Sequence, residues 1–111
     1  MATINSPFGA ATAVTIEATG TTALTISNDV TYVETLPTLT GNATLNLTLS
    51  SELNAGAMLF LKVKTTATET FTFGTGIDAP TVTGVAGKTW TQGFWYDGTT
   101  FLPMGAKIQI D

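Results

Sequence analysis

Asp29, Asp78 and Asp97 are the acids that fall in turn-rich stretches of this chain. A loop carboxylate can carry a proton or hold a calcium ion. Calcium needs several oxygens converging at short range, and none of these acids has a second carboxylate within a few residues. Each therefore reads as a turn residue, and no metal site is expected. Histidine and cysteine are both absent, and the basic residues are the four lysines Lys62, Lys64, Lys88 and Lys107, so arginine is absent as well. That removes the commonest general base, every thiolate ligand or disulfide, and the bidentate phosphate fork. A threonine or serine hydroxyl has no imidazole to activate it. No catalytic residue and no cofactor are assigned, and the chain is expected not to be an enzyme.

Three motifs resemble chemical signatures and yield to plainer readings. GVAGKT (84–89) has the end of a phosphate-binding loop, but that loop needs a glycine where Val82 stands and a helix afterwards. The following TWTQGFWY alternates like a strand, so a turn leading into a strand is expected. Asn42-Ala43-Thr44 and Asn46-Leu47-Thr48 match the glycosylation acceptor pattern. In so threonine-rich a chain, with no secretion signal, chance explains them. The Thr-x-Thr rows at 66–72, 81–83 and 89–91 suggest an ice-binding face only in a repeating solenoid, and no internal period is visible.

The richest stretch is FWYDGTTF (94–101). Asp-Gly between alternating runs predicts a two-residue type I′ hairpin. That register pairs Tyr96 with Thr99, Trp95 with Thr100 and Phe94 with Phe101. Alternation puts Trp90, Phe94, Tyr96 and Phe101 on a core face, and Thr89, Thr91, Trp95 and Thr100 on the other. Trp95 on the threonine face has three readings: covered by a loop, buried against another subunit, or a ligand platform.

The elements that would position these residues are nearly all strands, because the chain alternates with period two. AVTIEA (13–18), TALTIS (22–27), VTYVE (30–34), TLNLTLS (44–50), MLFLKVKT (58–65) and TETFTF (68–73) all alternate. TVTGV (81–85), KTWTQGFWY (88–96), TTFLPM (99–104) and AKIQI (106–110) follow the loop GTGIDAP (74–80). Leu45, Leu47, Leu49, Leu59, Leu61, Val63, Phe71 and Phe73 are expected inside. The best helix candidate, SSELNAGAM (50–58), is too short for more than one turn. About eight to ten short strands predict an all-β, single-domain antiparallel β-sandwich, jelly-roll-like, over residues 13–111. Residues 1–12, with Pro7 and Gly9, are expected to form an extended arm, and the last strand should tie the C-terminal end into a sheet.

At 111 residues the chain can hold a real core without staples. Its net charge of −4 argues against nucleic acid and an anionic membrane. No stretch approaches the ~20 apolar residues of a membrane span. MATINSPFGA lacks a basic region followed by an apolar run, so no secretion signal is expected and the chain is read as a complete small protein. Charged residues are 11 %, against a usual figure of about 25 %. Threonine, used far beyond its ordinary frequency, desolvates more cheaply than Lys or Glu. Such a surface suits packing against other subunits.

Residues 84–105, GVAGKTWTQGFWYDGTTFLPMG, resemble a recurring ending of small β modules in tailed-bacteriophage virion proteins. There a GxxGKT opening leads to an aromatic strand, a YDGTxF hairpin and a closing Pro or Gly. The stretch from Gly41 through LTLSSELNAGAMLFLKVKTTATETFTFGTGI is similar in style, so the resemblance spans roughly 41–105. Its motifs are turn and packing signatures and bring no catalytic residues. The resemblance implies a structural protein of the virion, either a capsid decoration or auxiliary protein or a head-fibre component, commonly homotrimeric. Such a protein is synthesised in the host cytoplasm and works on the capsid surface. The partners then expected are further copies of the chain and the major capsid or another virion protein. Pro7, Phe8, Thr89, Thr91 and Trp95 are the candidate interface residues. The alternative is a receptor- or carbohydrate-binding module of a tail fibre, with a host glycan as ligand.

Overall fold

The computed structural model describes residues 11–33 and 38–111. Among them the protein is all-β, with strands β1 (Ala11–Val14), β2 (Gly20–Ile26), β3 (Val30–Val33), β4 (Thr38–Leu39), β5 (Ala43–Leu49) and β6 (Met58–Thr65). They continue as β7 (Thr70–Phe73), β8 (Val82–Thr83), β9 (Thr89–Tyr96), β10 (Phe101–Pro103) and β11 (Ile108–Gln109). The helix candidate at 50–58 is a pair of turns. Pro7 and Phe8 lie outside the described residues. Ala11 and Thr12, expected in the arm, belong to β1.

The strands form a seven-stranded and a four-stranded sheet. The larger runs β1-β3-β6-β9-β10, with β4 also beside β6 and β11 also beside β9; the smaller runs β2-β5-β7-β8. From β1 to β7 the chain passes back and forth between them, with β3 and β4 both in the large sheet. Each return lays a strand parallel to the previous one: β1, β3 and β6 in the large sheet, β2, β5 and β7 in the small one. After β7 the direction reverses, and β8, β9, β10 and β11 all pair antiparallel.

The expectation of antiparallel sheets is therefore corrected: the sheets are mixed. Period-two alternation reports which face of a strand is buried and is silent on its partner's direction. The coil also hides from a repeat search, because its circuits differ in length. Ala11 faces Val30, which faces the more distant Met58, while Gly20 faces Ala43, which faces Phe71.

The inner faces meet in one core. Ile26, Leu45, Leu47, Phe71 and Phe73 from the small sheet pack with Leu59, Leu61, Val63, Trp90, Phe94 and Phe101 from the large one. Phe71 meets Trp90 edge-on (centroids 5.6 Å) and Phe73 meets Phe94 (5.1 Å). Leu49, expected inside, is only partly buried at the end of β5. Ile77, in the turn-rich loop, was not expected inside but is buried and bridges to Phe101.

Polar side chains stitch successive strands where charges are scarce. Asn42 Oδ1 accepts the Thr70 N–H (3.0 Å) and Asn46 Oδ1 the Thr75 N–H (2.9 Å). Both asparagines of the acceptor-like motifs thus act as structural brackets. Thr65, fully buried, donates its hydroxyl to the Val85 carbonyl (2.8 Å). GVAGKT is a turn, as expected, closed by Lys88 N–H to the Val85 carbonyl (2.9 Å).

Candidate interaction face

Strand β9 runs through the middle of the large sheet and presents Thr89, Thr91, Gly93 and Trp95 away from the core. Its neighbours set the rest of that outer face by register. Val30 faces Met58, which faces Trp95, which faces Leu102. In the next row Tyr32 faces Phe60, which faces Gly93, and Met104 donates its N–H to the Gly93 carbonyl (2.9 Å). Lys62, Thr91 and Ile108 make a third row. The first two rows are built from apolar residues, with glycine at one position.

These side chains are open to solvent: Trp95 is 41 % exposed, Tyr32 and Phe60 each 40 %, Met104 50 % and Ile108 64 %. No described segment closes over Trp95. A groove of about 490 Å³ crosses the face, walled by Tyr32, Phe60, Met104 and Ile108 over Gly93, with Lys62 the one charged group among the described residues that line it. Gly93 makes the floor low. A Cβ there would come within 3.2 Å of the Met104 sulfur and 3.4 Å of the Phe60 ring.

The hairpin that carries Trp95 differs from the predicted one by two residues. Tyr96 pairs with Phe101, Trp95 with Leu102 and Phe94 with Pro103, so residues 97–100 form the loop. A type I′ turn requires positive φ at both central residues, and only Gly98 (φ 104°) has it. Asp97 closes the loop instead. Its Oδ1 accepts N–H groups from Thr99 (2.8 Å) and Thr100 (2.9 Å), which hold its carboxyl below the usual carboxylate range. A slip of two keeps every side chain on its face. Phe94, Tyr96 and Phe101 are accordingly core, as expected.

The structure separates the predicted interface residues. Trp95 and Thr91 share the open face, with Thr91 beside the groove. Thr89 is on the same side of β9 but only 4 % exposed. Asp111 covers it, accepting the Thr89 N–H at Oδ1 (2.7 Å) and its hydroxyl at Oδ2 (3.3 Å). The Thr89 N–H lowers the Asp111 pKa foremost, with smaller contributions from the Thr89 hydroxyl, Lys88 and Lys64. Tyr32, Phe60, Met104 and Ile108 were missing from the predicted set. The outward Met58 and Phe60 of MLFLKVKT were the available signal.

No protein-family model, curated protein or solved structure matches the chain.

Its chemistry must therefore be read from the surface itself. Among the described residues no three acidic side chains group in a way that could hold a metal ion, and no helix is long and apolar enough to cross a membrane. What this face offers is desolvation. Contiguous exposed apolar surface of this kind marks contact sites on folded proteins.

Proposed function

We propose that this protein is a non-enzymatic structural component that assembles through protein–protein contacts. The observation that carries the reading is the outer face of the large sheet, where Tyr32, Phe60 and Met104 line one groove and Trp95 lies exposed on the same face. Burying apolar area yields roughly 25 cal/mol per Å², and among the described residues Lys62 is the one charge in the groove that would need desolvation. The partner most simply offered such a face is another copy, and we assign a homotrimer.

The sequence resemblance supports reading this component as a tailed-bacteriophage virion protein, a capsid decoration or head-fibre protein. In that setting the two sheets act as a β-sandwich with coiling connections, and the segment before β1, with Pro7 and Phe8, is the part offered to the major capsid or a neighbouring virion protein. Truncation of residues 1–10 tests the arm. Particle binding should be lost while the circular dichroism spectrum holds, and binding that persists removes the arm from the account.

A second reading, the glycan-binding module, draws on the same exposed Trp95. Trp95→Ala separates the two. Lost assembly with no effect on glycan or cell binding supports the structural role, and the reverse supports the module.

A further inference from the structure

A second cleft, of about 410 Å³, lies between β8 and the segment joining β10 to β11 and adjoins the first at Gln92, Gly105 and Ala106. Pro80, Val82, Pro103 and Ala106 give it apolar walls, and among the described residues Lys107 is the one charged residue lining it. We propose that this cleft takes an extended, neutral or acidic peptide that adds to β8 as a further strand.

Two observations point to a peptide. The first is the free edge of β8, the last strand of the small sheet. Gly84 donates its N–H to the Glu69 carbonyl (3.0 Å) on the β7 side, and Val82 pairs with Phe71 on that side. Antiparallel ladders alternate, so the N–H and C=O groups of Thr81 and Thr83 turn to the opposite edge. No described residue pairs with them there. The second is Gln92, 8 % exposed and lining the same cleft. Its Nε2 donates to the Gly105 carbonyl (2.8 Å), which fixes the amide orientation and leaves Oε1 buried without a donor.

A buried acceptor left without a donor is costly. An extended peptide meets both needs. It brings N–H and C=O groups at strand spacing for Thr81 and Thr83, and a further donor for Gln92. Its alternate side chains reach the apolar walls, and Lys107 disfavours a basic one. A small apolar solute would fill the walls but leave the edge and Gln92 unpaired. The cleft shares Gln92, Gly105 and Ala106 with the outer-face groove, whereas the free edge of β8 belongs to this cleft, so the test reads the Thr81 and Thr83 amides.

The test is a titration of the labelled full chain, followed by amide chemical shifts. The probe is a capped peptide copying residues 69–73, Glu-Thr-Phe-Thr-Phe, the strand β8 already accepts on its other side. At about 1 mM, suited to weak binding, it should move the Thr81 and Thr83 amides and the Gln92 side-chain amide together. The same peptide with methylated backbone nitrogens should move none of them. Thr83→Pro, which removes an edge donor, should weaken binding at least ~tenfold. Absent shifts, or equal shifts with the methylated peptide, overturn the proposal, and that comparison stands if the proline variant fails to fold.

Discussion

Phe73 and Phe94 meet across the two sheets at 5.1 Å between ring centroids and an interplanar angle of 61°. Phe94 is fully buried in the antiparallel part of the large sheet, and Phe73 ends β7, the last strand of the parallel coil. The contact thus joins the two halves of the architecture. Phe94→Ala leaves a cavity at that join and should cost roughly 3–5 kcal/mol. Denaturant unfolding with an unchanged slope would measure it. A loss below about 1 kcal/mol would mean the sheets do not meet there.

Gly84 sits against the buried Thr65, and a Cβ at that position would overlap the Thr65 side chain. Thr65 is anchored by its bond to Val85, so it cannot simply swing away. Gly84→Ala should destabilise by about 1–3 kcal/mol through overpacking. Gly105→Ala, where a Cβ would meet nothing within 4 Å, is the control and should leave the midpoint nearly unchanged. Equal midpoints for the two variants would contradict the packing.

Asp111 and Asp97 both accept backbone N–H groups in the folded protein, which lowers their pKa values below 3.8. Folding is therefore favoured by their ionised forms. That contribution is complete above the unfolded-state value of about 3.9 and fades as pH falls through the lower folded values. Asp111→Ala and Asp97→Ala should each lower the melting temperature near neutral pH. Each difference from the parent should shrink toward zero at strongly acidic pH. A difference that persists there would assign the effect to something other than the carboxylate.

The strands were legible because a half-buried strand writes its face into alternation. Leu45, Leu47, Leu59, Leu61, Val63, Phe71 and Phe73 are buried as their spacing demands. Strand direction was not legible. Whether β5 lies parallel or antiparallel to β2 depends on connections whose lengths vary, and the alternation along each strand is the same in both arrangements. At the hairpin, Asp-Gly marked the turn correctly, but the choice between a two-residue and a longer loop rested on the φ of Asp97. Trp95 was traceable as an outward residue. The groove on its face was not, because Tyr32, Phe60, Gly93 and Met104 come from four separate stretches of the chain.

The outer face of the large sheet carries the functional reading, and Phe60 stands in its middle, between Tyr32 and Gly93. Its side chain is 40 % exposed and points away from the core, so Phe60→Asp should leave the circular dichroism spectrum and the unfolding transition close to those of the parent. Light scattering coupled to size exclusion at tens of micromolar is the direct measurement. The account predicts a trimer for the parent chain and a monomer for Phe60→Asp. A parent chain that is strictly monomeric, or a Phe60→Asp variant that stays trimeric, would contradict it.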